Sequence, residues 1–251
     1  MNEVIKRIDG GGGMRFYEGV TTDQKTKQEV RNWVYTSVTS KLDAVFPKGA
    51  YLIKWIRDNG AHGMAEFEKA AEKGTETHVI INRLLQGESV PTIDLDYRVL
   101  KCVQSFIDFY NEVKPETLAT EHIVVNHEEK YAGACDWVCK IDYTKGKTVI
   151  KGTYVIDFKT SSALYQSHEL QNVAYLKALP EEWQDKAGLL HLGNRTKLGW
   201  SFKDLEIDSN WKLFQHFNET FAMMNPNAHP DDTIFPELFQ LTPQDNGQNN
   251  A

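Results

Sequence analysis

The chain has no run of about 18 consecutive apolar residues, the length a membrane span needs. Its first residues, Met1-Asn2-Glu3-Val4-Ile5-Lys6-Arg7, lack the apolar stretch of a secretory signal. Both absences lead to the expectation of a cytoplasmic protein with no membrane partner. Cysteine is scarce, with Cys102, Cys135 and Cys139 alone. An odd number this small argues against a disulfide framework. Cys135 and Cys139 are not spaced as a zinc knuckle, and no second Cys/His pair stands at zinc spacing. They read as buried, apolar-like thiols in a strand. Excess positive charge is missing too: the net charge is −7. That does not suggest a protein that coats nucleic acid nonspecifically. A local basic groove stays open, because Lys25, Lys27, Arg31, Lys41, Lys48, Lys54 and Arg57 gather in the first quarter. There is no internal repeat.

What is present is ordinary globular composition, 41% apolar and 25% charged over 251 residues. That length suits one substantial domain or a core plus a small lobe. Val4 to Ile8 and Met14 to Tyr17 read as strands joined by a flexible turn, Asp9-Gly10-Gly11-Gly12-Gly13. Gln28 to Leu42 is polar and mixed. Ala50 to Asn59 and Gly63 to Lys73 read as helices capped by Gly60 and Gly74. Thr75 reads as an N-cap for a helix over Glu76 to Gln86. Asp96 to Val113 is amphipathic, with Val99, Val103, Phe106, Ile107, Tyr110 and Val113 at helical spacing. After Pro115 the period shortens. Glu121 to Val125, Ala134 to Ile141, Thr148 to Ile150 and Thr153 to Lys159 are β-prone. Glu169 to Leu179 returns to helical spacing. Gly188 to Leu192 and Leu198 to Phe202 read as strands, and Trp211 to Met224 as a last helix. The order predicts an α/β (α+β) fold, a mixed central sheet flanked by helices. The expected layout is an accessory region over 1–60 packed on a core over 61–243, then a polar, disordered tail over 244–251.

The chemistry centres on Tyr154-Val155-Ile156-Asp157-Phe158-Lys159. Strand alternation puts Asp157 and Lys159 on one side and Phe158 on the other, toward the core. Metal-assisted phosphodiester hydrolysis needs such a pairing. Carboxylates hold Mg²⁺, and an ammonium can orient water and offset transition-state charge. An isolated Asp-x-Lys is far more often a salt-bridged strand end, by roughly twenty to one. Asp136, reached through Ala132-Gly133-Ala134-Cys135, changes those odds. An antiparallel neighbour would bring it to the same sheet edge as Asp157. Gly133 would allow close approach of backbone or substrate. His78 falls in an expected first helical turn and could ligate metal, which would favour Mn²⁺ somewhat. Taken alone it is more often a satisfied, partly buried histidine. His168, Gln171 and Tyr175 share one helix face that suits a nucleic-acid strand.

Together these residues resemble a known family. Gly74-Thr75 with His78, Glu121, Gly133 with Asp136, Ile156-Asp157-Phe158-Lys159-Thr160-Ser161, and Gln171 with Tyr175 follow the motif order of the RecB-like branch of the PD-(D/E)XK nucleases. They look closest to its phage-type and CRISPR-associated exonucleases. Tyr35-Thr36-Ser37-Val38-Thr39 resembles a short N-terminal element of the phage-type members. The resemblance implies a restriction-endonuclease-like αβββαβ core. It implies His78, Asp136, Asp157 and the Phe158 carbonyl as ligands for one or two Mg²⁺ or Mn²⁺ ions. Lys159 would be the catalytic lysine and Glu121 a supporting acid. Gln171 and Tyr175 would contact the DNA strand, beside His168. Three cysteines are too few for the iron–sulfur cluster of the CRISPR-associated members. The implied activity is a DNA exonuclease of recombination or processing, with DNA as partner and a single-strand annealing protein as companion. An endonuclease of restriction or repair type and a non-catalytic DNA-binding module are the alternatives. Oligomeric state, strand polarity and strand preference are not legible.

Overall fold

The computed structural model describes residues 3–10, 13–47, 49–194 and 196–231. The expected tail over 244–251 lies outside them, as do residues 232–243, Lys48, and Gly11 and Gly12 of the expected turn. The first three strands form a small antiparallel sheet: β1 (Val4–Asp9), β2 (Arg15–Thr22) and β3 (Glu29–Thr36). Pairs run from Val4 with Val20 to Asp9 with Arg15, so the glycine-rich segment does join a hairpin.

The segment read as merely mixed, Gln28 to Leu42, folds as β3 and then helix α1 (Val38–Val45). β3 is an edge strand exposed along its first half, so it shows no apolar stripe. A register shift at Gly19/Val20 further blurs its alternation. α1 is capped by Ser37, whose hydroxyl accepts the Ser40 N–H at 3.1 Å.

Helix α2 (Ala50–Leu85) is kinked at Gly60, where φ is +53°. The expected break there is real, but Gly74 and Thr75 are not caps. They sit inside the helix, and Thr75 donates back to the Ala71 carbonyl at 3.2 Å. A helical glycine costs about 1 kcal/mol against alanine, which tertiary packing readily overrides. Gly74 has a different use: a Cβ there would lie 3.2 Å from Thr160 Oγ1, so the glycine lets α2 approach the end of a strand. His78 consequently stands deep in a long helix rather than in a first turn.

Helix α3 (Tyr97–Val113) is capped by Asp96, whose carboxylate accepts the Arg98 N–H at 2.8 Å. Next come β4 (Glu116–Asn126), β5 (Tyr131–Lys145), β6 (Thr148–Lys159), α4 (Gln166–Ala178), β7 (Lys186–Leu192), β8 (Trp200–Asp204) and α5 (Ile207–Met224). The two β-prone pieces around Gly152 are one strand. The second sheet runs β4-β5-β6-β7-β8. All its pairs are antiparallel except β6 with β7, which are joined through α4. The fold is therefore a five-stranded mixed sheet flanked by helices, with a small antiparallel sheet beside it. From α3 to β7 the succession is helix, three strands, helix, strand.

Two apolar clusters cover the faces of this sheet. On one, Val38 and Leu42 of α1, Leu170 and Val173 of α4 and Phe214 of α5 pack on Val155 and Leu189. On the other, Ile81 of α2 and Phe106 and Phe109 of α3 pack on Trp137, Ile156 and Phe158. Each such side chain contributes about 1.5–3 kcal/mol on full burial. α1 thus belongs to the same core as α4 and α5. Lys41, one of the charges that left a local basic groove open, is buried at 6% exposure. Its ammonium donates to Lys130 O at 2.9 Å and Asn218 Oδ1 at 2.6 Å, tying α1 to β5's entry and to α5. Among the described residues no helix is long and apolar enough to cross a membrane.

Candidate active site

The β5–β6 ladder runs from Lys145 paired with Thr148 to Trp137 paired with Ile156, and there it stops. The next pair in register would be Asp136 with Asp157. Instead the Phe158 N–H donates to Asp136 Oδ2 at 2.7 Å. A carboxylate has replaced a backbone acceptor, and the strands part at two acidic residues. The pleat also breaks here. Cys135 packs in the first cluster and Trp137 in the second, although residues two apart in a regular strand share a face. On β4, Glu121 stands between the pairs Thr120–Trp137 and His122–Cys135 with a φ of +46°. A side chain held there costs about 1–2 kcal/mol. Such strain points toward a functional site.

Alternation along β6 does what the sequence requires. Lys159 Nζ lies 2.6 Å from Asp157 Oδ2, on one side. Phe158 goes to the other, with its ring 5.5 Å from Phe106 and 5.7 Å from His78. His78 reaches in from α2, with Nδ1 3.3 Å from Asp136 Oδ1. From α4, the Gln171 carbonyl oxygen accepts from Lys159 Nζ at 3.0 Å. The Gln171 amide nitrogen donates to Tyr175 OH and to Thr39 Oγ1, each at 3.0 Å. So Asp136, Asp157, Lys159, His78, Gln171 and Tyr175 converge, with Glu121 exposed at the rim. His168 stands slightly apart. Its Nδ1 accepts the Tyr165 N–H at 3.3 Å and closes the first turn of α4.

The electrostatics follow from burial. Asp157 is 3% exposed. Burial first, then the Asp136 charge, lift its carboxyl to about 6, against the pull of Lys159 and His78. Burial also works against Asp136, yet His78, Lys159 and the Phe158 N–H hold it below the usual range. Two carboxylates so close divide in this way, one held low and one high. Burial disfavours the His78 imidazolium, but Asp136 and then Asp157 outweigh it and push it up to about 9. Surrounding protein and Asp136 raise Glu121. Burial, Lys159 and His191 press His168 down to about 3, so its ring is neutral.

Three residues escaped the sequence reading. Thr39 stood in a noted element but carried no assigned role. Asn172 is fully buried and donates to the Val155 and Gly188 carbonyls at 3.1 and 2.8 Å, which anchors α4 across β6 and β7. An asparagine beside apolar helix residues is the faint signal that could have found it. His191 contacts the Ser161 carbonyl at 2.6 Å, beyond the end of β6. The close approach at Gly133 is made by the Tyr175 side chain and not by backbone or substrate: a Cβ there would lie 2.5 Å from its Cε1.

Among the described residues no three His, Cys, Asp or Glu side chains meet as a metal cage. Magnesium does not demand one. It is commonly held by one or two carboxylates, with water and substrate phosphate filling the rest. Asp136 and Asp157 supply those hard oxygens. Asp157 Oδ2 is buried and accepts no well-directed hydrogen bond, although the Lys159 ammonium is near. The donor set fits a hard divalent cation.

No family model and no curated protein matches the chain. The crystal structure of SSO0001 aligns over 77% of this chain and 85% of its own, at 14% identity and a TM-score of 0.31. A likeness that weak carries no argument.

Proposed function

We propose that this chain is a metal-dependent deoxyribonuclease of the RecB-like PD-(D/E)XK type, acting as an exonuclease. One observation carries the reading: the β5–β6 ladder ends at two carboxylates, the half-buried Asp136 and the buried Asp157, with the Lys159 ammonium 2.6 Å from Asp157. A lone salt-bridged strand end has no need of the second acid, His78 and the strained Glu121 around it.

In this reading Asp136 and Asp157 would hold Mg²⁺ or Mn²⁺, joined by the Phe158 carbonyl and His78. When bound, the ion supplies Lewis-acid polarisation of the phosphoryl group and lowers the pKa of its water. Lys159, steadied by Gln171, orients the attacking water and offsets charge as the phosphorane-like state forms. Glu121 orders water at the rim. Gln171 and His168 would face the DNA strand, while buried Tyr175 backs Gln171 from behind. Low solvent access at Asp157 strengthens each of these interactions.

The test is end-labelled linear duplex with Mg²⁺, sampled over time beside covalently closed circular DNA. Progressive shortening of the linear DNA with an intact circle is expected. Cleavage of the circle would make the protein an endonuclease. Survival of both substrates in Mg²⁺ and in Mn²⁺ would overturn the nuclease reading.

A further inference from the structure

Gln171 links Lys159 to α1 and α4, and its amide has a direction. The carbonyl end must face the ammonium, because an N–H there would oppose another donor. At the other end two hydroxyls, each able to accept, hold the amide nitrogen in place. The amide nitrogen donates to Thr39 Oγ1 and to Tyr175 OH, each at 3.0 Å. Tyr175 comes from the same helix as Gln171. Thr39 comes from α1, 132 residues away in sequence.

Thr39 is held from several sides. The Arg15 N–H of β2 donates to Ser40 Oγ at 2.8 Å. Ser37 bridges Ala132 of β5. Buried Lys41 ties the same turn to Asn218 of α5 at 2.6 Å. A hydroxyl with neighbours pinned this way presents a fixed acceptor, at little entropic cost to the site.

We propose that Thr39 is a positioning residue of the active site. It anchors the Gln171 amide in the position from which its carbonyl holds Lys159 against Asp157, and in this way the N-terminal segment completes the site. The proposal rests on the nuclease reading for its kinetic consequence but not for its geometry.

Two measurements on Thr39→Val, Thr39→Ala and Thr39→Ser test it, with far-UV circular dichroism as the folding control. The first uses metal-free protein and limited acetylation by acetic anhydride, with Lys159 followed by peptide mass spectrometry. Loss of one ordinary hydrogen bond corresponds to about two- to tenfold in population, so Lys159 should label faster by about that factor in the valine and alanine variants. The serine variant should label like wild type. Equal labelling in all four proteins would overturn the proposal. The second is steady-state cleavage of linear DNA. kcat should fall about tenfold in the valine variant with KM little changed, and serine should restore it. The double variant Thr39→Val/Gln171→Leu should be no slower than Gln171→Leu alone, because Thr39 acts through Gln171. Multiplying effects would overturn the proposal. If wild type cleaves no DNA, the nuclease reading fails, and the labelling result still decides the role of Thr39.

Discussion

Lys41 offers the most quantitative test of how α1 is held. Its ammonium is 6% exposed and sits on carbonyl oxygens rather than on a carboxylate. Burial presses its pKa down to about 8, with the Glu129 charge opposing. An unfolded lysine titrates near about 10.4. Below about pH 8 both states are protonated, and the native state carries the cost of a buried charge. Between about pH 8 and 10.4 the unfolded chain keeps a proton that the native state has lost. Stability from this group therefore rises with pH across that window, by about 3 kcal/mol in all. Other groups titrate there as well, so the variant Lys41→Met is the reference. Methionine leaves the Lys130 and Asn218 oxygens unpaired, at about 1–3 kcal/mol each, but that loss does not depend on pH. Urea unfolding followed by tryptophan fluorescence would be run at intervals from about pH 7 to about pH 10.5. Wild-type stability minus variant stability should climb by about 3 kcal/mol. A flat or falling difference would refute the reasoning.

Asp157→Ala and Lys159→Ala are each expected to abolish metal-dependent cleavage with unchanged circular dichroism, and full activity in either would remove the assigned site. His78→Ala should lower cleavage sharply and alter the relative rates in Mg²⁺ and Mn²⁺; normal kinetics in both metals would make His78 structural. Gly133→Ala drives a methyl against the Tyr175 ring, where the Cβ would stand 2.5 Å from Cε1. It should lower stability by about 1–3 kcal/mol and slow cleavage, and an unmoved urea midpoint would contradict that packing.

Much of the scaffold was legible because its signals are local. The amphipathic period of Tyr97–Val113 marks α3 to within a residue of its start. β1 and β7 stand close to where their periods put them, whereas β6 joins two segments read apart and α4 starts a turn earlier, at Gln166 rather than Glu169. β3 and α1 were missed for a physical reason. An exposed edge strand needs no apolar stripe, and α1 hides a buried lysine among its apolar residues. Gly74 and Thr75 misled because cap residues are read by type, whereas Gly74 serves the approach of α2 to Thr160.

The candidate site divides along the same line. By itself the sequence determined that Asp157 and Lys159 share a side and Phe158 does not, since the strand period of two acts within three residues. It also supplied the second acid, Asp136, on the neighbouring strand. Tertiary structure alone decided that the strands part at those two residues, that Glu121 takes a strained backbone, and that His78 reaches Asp136. It alone brought Thr39 to Gln171. Those contacts join segments far apart in the chain, and they are set by how α1, α2 and α4 pack on the sheet, a choice no short period in the sequence encodes.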